Sequence, residues 1–316
     1  MKFMARVTNQ FREHMSNVGF RHAVARSTSR ACAQLAQRLQ TLSENLVDCE
    51  ATSDRLNHKL AADLAANRRL HGRHIGECAL LLASGPSSAE LSKSNVGSKR
   101  VIAVNEMFGP AKAAGLELAA VVIHDPFYFT GAPDMDRMLR DAAAVAHECG
   151  ALMVLPNHAA TRLIQSGVFS REQVLTFVES GRAIFNMPRP AHVLDMSKPV
   201  PSLQTVAHTG LVAALFLGFS EVAILGVDLG YVAKPIEPIS HGYGKNQYND
   251  SINTRSAAEA YLRGHGWSWP TVLRDVAYQL EAFDWIAEGA SRSGQRVVNL
   301  SRNSLLAAIN SIEVPP

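Results

Sequence analysis

Polar residues follow four apolar runs, each of which is typical of a buried β-strand. They are the cluster Ser84-Gly85-Pro86-Ser87 and the single residues Asn105, Asp125 and Asp228. The carboxyl ends of parallel strands meet at one edge of a sheet, so we expect these residues to converge on one crevice. The sequence therefore predicts a small-molecule site at this edge.

The first cluster has the residues of a tight turn that opens a helix. Gly85 lets the backbone approach a ligand closely, and Pro86 suits the first helical turn. Ser84 or Ser87 would cap the helix or bind an anion there. The cluster matches neither G-x-G-x-x-G nor a Walker loop, so it lacks the residues that define a dinucleotide or P-loop site.

Strand-like and helix-like segments alternate from residue 76 to residue 316. This pattern predicts a Rossmann-like α/β fold, a mostly parallel sheet with flanking helices. Residues 234–269 are rich in Gly, Pro, Asn, Ser, His and Tyr, which is typical of a lid. The predicted strands are 77–83, 100–105, 118–124, 151–155, 221–225 and 296–299, and the predicted helices are 133–148, 204–218, 271–290 and 303–312.

Residues 1–75 form a different segment, which contains no proline and is predicted to be helical. Its apolar positions alternate in steps of four and three, as in a coiled coil. A long helix packed on its own catalytic domain and a coiled coil that joins subunits both fit this spacing. Basic residues in the segment also fit contact with an anionic membrane surface. The heptad positions are Leu35, Leu39, Leu42, Leu46, Cys49, Ser53, Leu56 and Leu60.

The composition is that of an ordinary globular protein, with 47% hydrophobic and 19% charged residues. No apolar run approaches the roughly 18 residues of a membrane span, and the N-terminus lacks the apolar core of a secretory signal. Four cysteines without C-x-x-C spacing indicate reduced thiols in a cytoplasmic protein. A net charge of +3 is too small to indicate a nucleic-acid partner.

Several blocks of this sequence resemble a known family. The blocks HGRHIGECALLLASGPSSAEL, RVIAVNEMF and LELAAVVIHDPFYF, with the later HTGLVAALFLGFSEVAILGVDLGY and VVNLSRNSLL, resemble glycosyltransferase family 42, the bacterial sialyltransferases. They equally resemble the wider superfamily of motility accessory factor glycosyltransferases and an archaeal-type 6-hydroxymethyl-dihydropterin diphosphokinase. The resemblance spans roughly residues 72–310 and does not cover the N-terminal helix.

The resemblance implies a binding site for a nucleotide-activated sugar. By position, residues Ser84 to Ser87 would hold the nucleotide and Asn105 would contact the nucleotide-sugar. His208, Thr209 and Gly210 match the helix start that handles the donor phosphate or the sugar carboxylate. Free N–H groups at a helix N-terminus favour an anion, which agrees with that role.

Two positions depart from the sialyltransferase pattern. Asp125 stands where the sialyltransferases have Asn, and their Arg near Val206 is missing. A carboxylate at residue 125 would repel an anionic CMP-sugar unless it were protonated or bound to a cation. The family requires no metal cofactor, whereas Asp125 and Asp228 together would suit Mg²⁺.

An inverting transfer needs a base for the acceptor hydroxyl and donors for the departing phosphate. His265 lies where the family's base would fall, and His241 is the second choice. Tyr243 and Tyr248 would donate hydrogen bonds to the phosphate. Tyr231 also lies in this loosely matched lid region.

Three functions remain open from the sequence. The first is a cytoplasmic glycosyltransferase that uses a CMP-linked sugar to build a surface glycan. It would take a glycan or glycolipid acceptor, form a homo-oligomer, and work at the inner face of the membrane if its basic helix binds there. The second is a Mg²⁺-dependent diphosphokinase that acts on a pterin-like alcohol. The third is a non-catalytic oligomeric scaffold.

Overall fold

A computed structural model of the chain describes residues 59–91, 96–184, 187–188, 190–229, 268–301, 304–309 and 312. The chain divides into two compact units, Met1–Lys59 and Leu60–Pro316. The fold given below is that of the second unit alone. The predicted heptad seam lies outside the described residues except for its last position, Leu60.

Seven parallel strands form the central sheet, which confirms the predicted Rossmann-like α/β fold. The central strands are β1 (Cys78–Leu82), β2 (Arg100–Val104), β3 (Leu118–Val122), β4 (Leu152–Pro156), β5 (Val174–Phe177), β8 (Glu221–Leu225) and β9 (Arg296–Asn299). In spatial order the sheet reads β5-β4-β3-β2-β1-β8-β9, and every adjacent pair of strands is parallel. Two further strands, β6 (Glu179–Ala183) and β7 (Val200–Ser202), pair in a separate small sheet.

The central strands are continuous apolar runs because helices cover both faces of the sheet. Leu81 packs on one face with α4 (Val206–Phe216) and α5 (Trp269–Arg292). Leu80 packs on the other face, where the helices are α1 (Phe108–Ala113), α2 (Pro133–Glu148) and α3 (Asn157–Gln165). Among the described residues, no helix is both long enough and apolar enough to cross a membrane.

Helix α4 is buried on every side, which explains why its sequence is almost entirely apolar. It packs on β1, β2, β3 and β8 and is covered by α5. Gly210 allows this close approach, because an added Cβ would lie 2.6 Å from Leu81 Cδ1 and 3.3 Å from Val104 Cγ1. The small residue therefore sets the distance between helix and sheet.

Two predicted helices prove to be shorter structures. The turn at Gly85 leads into a 3₁₀ helix, Pro86–Glu90, whose N-cap residue is Gly85 and which has no side-chain cap. In the predicted helix at 303–312, the described residues form only the 3₁₀ helix Leu305–Ala308. Both segments form hydrogen bonds to the loop after β8.

Candidate functional site

The loops that follow β1 and β8 meet where the strand order reverses, at the topological switch point of the sheet. The backbone N–H of Gly85 donates to Gly226 O at 2.7 Å. An added Cβ on Gly85 would lie 2.4 Å from that same oxygen. Gly226 has φ +85°, a left-handed conformation that favours glycine. The two glycines thus hold the loops together at the position where open α/β sheets bind ligands.

A cluster of serine and aspartate side chains joins the loops after β1, β8 and β9 at this switch point. Ser87 N donates to Asp228 Oδ2 at 2.8 Å, and the hydroxyls of Ser87 and Ser301 share a hydrogen bond of 2.7 Å. Gly226 N donates to both hydroxyl oxygens. Ser87 and Asp228 were predicted to lie in one crevice or at its turn, whereas Gly226 and Ser301, from the loops after β8 and β9, were missed.

The second carboxylate oxygen of Asp228 makes no hydrogen bond to any residue that the structure describes. Asp228 is 9% exposed, and its Oδ1 is buried without a partner among the residues that the structure describes. Buried polar atoms in folded proteins are almost always hydrogen-bonded. This oxygen is therefore available to accept a hydrogen bond from a ligand or to bind a cation.

Asn105 follows β2 in a strained backbone conformation. Its φ is +48°, which is uncommon for a residue with a side chain, although Asn tolerates it better than most. Leu82 pairs with Ala103 between β1 and β2, and continuing that register places Ser84 level with Asn105. The Oδ1 of Asn105 is also buried without a partner in the described part of the chain. Asn105 therefore presents a second free acceptor beside the switch point.

Asp125 lies further along the same edge and is exposed. Its Oδ1 accepts a hydrogen bond from Phe127 N at 2.8 Å and caps the 3₁₀ helix Pro126–Phe129. Its strand β3 is three strand spacings from β8, or about 14 Å, a separation that disfavours one ion bound by both Asp125 and Asp228. Within the described ranges, no group of three or more His, Cys, Asp or Glu side chains is arranged to bind a metal.

His208 has its ring inside the protein. The side chain is fully buried, its Nδ1 accepts from Thr205 N at 3.2 Å, and its Nε2 lies 3.0 Å from Gln279 O. Thr205 Oγ1 in turn accepts from His208 N, which completes a capping box at the start of α4. Burial lowers the pKa of His208 to about 3, so the ring is neutral. His208 thus anchors the helix start between the sheet and α5.

Thr209, the next residue, faces a histidine that the sequence analysis did not select. Its Oγ1 lies 2.8 Å from Nδ1 of His124, the residue just before Asp125. The Nε2 of His124 lies 3.4 Å from Glu179 Oε1, and the ring packs edge-on against Phe177. Burial lowers the pKa of His124, and the carboxylates of Glu179 and Asp125 oppose that shift.

The structure thus brings together Ser84 to Ser87, Asn105 and Asp228, and it places Asp125 further along the same edge. His124 sits directly at a predicted strand end, so its position alone was a usable signal. Asn157 was also missed: it follows β4, and its buried Oδ1 has no partner within the described ranges. The predicted lid residues Tyr231, His241, Tyr243, Tyr248 and His265 lie outside the described residues.

Comparison with known proteins gives one structural likeness. The MAf glycosyltransferase from Magnetospirillum magneticum AMB-1 resembles this chain with a TM-score of 0.42 and 19% sequence identity. The likeness covers 81% of this chain and 38% of that protein, so this chain spans well under half the length of the protein it resembles. No family model matches the chain, and no curated protein matches it.

Proposed function

We propose that this protein is a glycosyltransferase that binds a nucleotide-activated sugar at the switch point between β1 and β8. One observation carries the proposal: Asn105 Oδ1 and Asp228 Oδ1 are two buried acceptors, without partners in the described part of the chain, on either side of the loop after β1. Acceptors of this kind need donors. Ribose hydroxyls and base amino groups supply donors, whereas a fully ionised phosphate supplies none.

The spacing of the two acceptors suits a nucleoside. Their strands, β2 and β8, are two strand spacings apart, or about 10 Å, which is comparable to the length of a nucleoside. Asn105 holds its position at the expense of a strained backbone, and such strain clusters at ligand sites. The sequence blocks that resemble family 42 include both residues, which supports a nucleotide-sugar, CMP-linked by that resemblance, over other nucleosides.

Sugar transfer requires more groups than nucleotide binding. We assign the role of base to His265, with His241 as second choice: it would take the acceptor's hydroxyl proton as the acceptor oxygen attacks the anomeric carbon. The bond to the phosphate oxygen breaks, and its electron pair stays on that oxygen. Tyr243 and Tyr248 would donate hydrogen bonds to the departing phosphate. The acceptor is proposed to be a surface glycan or glycolipid at the inner face of the membrane.

Calorimetric titration with CMP, with UDP, and with ATP plus Mg²⁺ tests the proposal. We expect CMP or UDP to bind without added metal and Asn105→Ala to weaken that binding about tenfold, the effect of one lost hydrogen bond. Asn157→Ala is the matched control, because it removes the same kind of buried oxygen at the same sheet edge but away from the switch point. Equal affinity of the wild type and Asn105→Ala would contradict the assigned site.

The Mg²⁺-dependent diphosphokinase is the second candidate. The free Oδ1 of Asp228 favours it, since a buried carboxylate oxygen is a good ligand for Mg²⁺. Binding of ATP only in the presence of Mg²⁺, with no binding of CMP or UDP, would select this function. A scaffold role would instead be supported if Asn105→Ala left cellular function intact.

A further inference from the structure

The segment that follows β9 is fixed to the sheet by hydrogen bonds. Asn299, the last residue of β9, is buried and pairs in register with Ile224 of β8. Its Nδ2 donates to Ser301 O at 3.1 Å, and its Oδ1 accepts from Ser301 N at 3.0 Å. These two bonds fix the direction in which the chain leaves the sheet. The segment belongs to the sequence block VVNLSRNSLL, whose residues have no role in the function proposed above.

Ser304, further along this segment, holds the backbone of the loop after β8. Its hydroxyl donates to Val227 O at 2.5 Å, and its Oγ accepts from Leu306 N at 3.1 Å. The side chain is buried, with 5% exposure of the residue. The backbone N of the next residue, Leu305, lies 3.4 Å from Asp228 O. Two consecutive carbonyl groups of the loop, those of Val227 and Asp228, are therefore bonded to this segment.

Leu229, which follows these two residues, has a strained backbone. Its φ is +53°, which is a genuine outlier for a residue with a bulky side chain. Such a conformation persists only where the surrounding structure enforces it. The hydrogen bonds to the two preceding carbonyl groups fix the chain that leads into Leu229, so they supply that constraint.

Strained residues coincide with the two oxygens to which we assign the nucleotide. In the described part of the chain, Asn105 and Leu229 are the residues other than glycine that have a positive φ. Asn105 carries one of the two oxygens, and Leu229 directly follows Asp228, which carries the other. Backbone strain of this kind clusters at ligand sites. The left-handed turn at Leu229 and the carboxylate of Asp228 thus form one unit of the site.

We propose that Ser304 is a positioning residue for the nucleotide site, because its hydrogen bond to Val227 O keeps Leu229 left-handed and so holds Asp228 Oδ1 in place for the ligand. The proposal rests on the glycosyltransferase function given above. The other oxygen of the carboxylate, Oδ2, is held separately by Ser87 N at 2.8 Å. The position of the Asp228 backbone therefore decides where Oδ1 lies.

The size of the effect follows from the cost of a left-handed residue. For a residue with a Cβ, this conformation is disfavoured roughly tenfold. Without the bond from Ser304, the loop would adopt the binding-competent arrangement in roughly a tenth of the molecules, and the apparent nucleotide affinity would fall by the same factor. Glycine adopts a positive φ about as readily as a negative one. In Leu229→Gly the anchor would therefore no longer be needed.

Rescue by glycine is the decisive experiment. The full chain and its variants are titrated calorimetrically with CMP, and separately with UDP. We expect Ser304→Ala to bind about tenfold more weakly than the wild type. Adding Leu229→Gly to Ser304→Ala should restore the affinity to within about twofold of the wild type. Adding Leu229→Ala instead should leave it about tenfold weaker, since alanine keeps the Cβ and with it the strain.

These pairs separate a positioning role from a merely structural one. Both changes at residue 229 remove the leucine packing, and both should bind nucleotide within about twofold of the wild type when Ser304 is present. A hydroxyl that only stabilised the fold would not be replaced by glycine at a different position. Rescue by Leu229→Gly without rescue by Leu229→Ala is therefore specific to the backbone conformation.

Ser166→Ala is the matched control. Ser166 Oγ donates to a backbone carbonyl, Leu163 O, at 3.0 Å, but at the end of α3 and away from the loop after β8. This variant should bind nucleotide as the wild type does. Circular dichroism and thermal unfolding confirm that each variant is folded. If Ser304→Ala does not fold, Ser304→Cys, which keeps only a weak donor, replaces it in the same comparisons.

A crystal structure of Ser304→Ala tests the anchor without any ligand. We expect the φ of Leu229 to become negative and Asp228 Oδ1 to move from its present position. A φ that stays near +53° would overturn the positioning role.

The binding experiments have distinct outcomes. Equal nucleotide affinity of the wild type and Ser304→Ala overturns the positioning role and leaves the proposed function standing. Equal weakening of the two double variants also overturns it, because relief of the strain would then make no difference. Absence of binding of CMP, UDP and ATP with Mg²⁺ to the wild type overturns the proposed function, and the crystal structure still decides whether Ser304 holds Leu229.

Discussion

Replacing Asn105 by glycine should make the empty protein more stable and the nucleotide complex weaker. Asn105 has φ +48° and a buried Oδ1 without a partner in the described residues. A buried acceptor without a partner costs about 1–3 kcal/mol, and a left-handed conformation costs an ordinary residue about 1 kcal/mol more than glycine. Glycine removes both costs, but it lowers the free energy of unfolding by about 0.4–1 kcal/mol because it gives the unfolded chain more conformational entropy.

The net effect is a gain of about 1–3.5 kcal/mol in the free energy of unfolding, or a rise in Tm of several degrees. The same change removes an acceptor for the nucleotide and should weaken binding about tenfold. Urea unfolding and calorimetric titration with CMP or UDP measure the two effects. Asn105→Ala is the control for the backbone, since it removes the amide but keeps a Cβ, and by the same two contributions it should be less stable than Asn105→Gly by at most about 0.6 kcal/mol.

The opposite pattern would refute the reasoning. If Asn105→Gly were less stable than the wild type and bound nucleotide equally well, Asn105 would be a structural turn residue. The conformation at this position would then have no connection with a ligand.

Three further changes test the packing around the site. Gly85→Ala should lower the free energy of unfolding by about 1–3 kcal/mol, because the new Cβ would lie 2.4 Å from a backbone oxygen of the loop after β8. Gly109→Ala is the control, since an added Cβ there meets nothing within 4 Å, and it should change the free energy of unfolding by less than about 1 kcal/mol. Chemical denaturation measures both variants. His208 has a folded-state pKa of about 3, below the ordinary 6.5. Its contribution to the free energy of unfolding is therefore complete above about pH 6.5. That contribution falls by up to about 1.4 kcal/mol per pH unit as the pH drops towards 3, because the unfolded chain then binds a proton that the folded protein does not. Urea unfolding across this range should show the slope, and His208→Asn should flatten it. Asn67 is fully buried and makes three hydrogen bonds to backbone groups, so Asn67→Ala should cost about 2–4 kcal/mol in the same assay.

Local patterns predicted much of the fold. Each apolar run that was predicted to be a strand became a central strand, because a strand buried on both faces must be apolar along its whole length. The strand β5, the short strands β6 and β7, and the helices α1 and α3 were missed. They are only three to nine residues long, and α3 has no side-chain cap to mark its start.

The site was predictable only in part, for the same kind of reason. Residues that directly follow strands, such as Ser84, Asn105 and Asp228, could be found because strand ends converge whatever the order of the strands. The bond between Ser87 and Ser301 could not, since it depends on β9 lying beside β8. Similarly, the burial of His208 depends on the cover that α5 provides.

The sequence by itself determined that a parallel sheet forms and that its carboxyl edge is polar, because the apolar runs and the residues that end them are local features. The tertiary structure alone decided which polar groups are partners. It gave the ring of His208 to Gln279, placed His124 between Thr209 and Glu179, and left Asn105 and Asp228 each with a buried oxygen that has no partner among the described residues. Hydrogen-bond partners that are far apart in sequence are set by strand order and helix packing, and no local pattern records them.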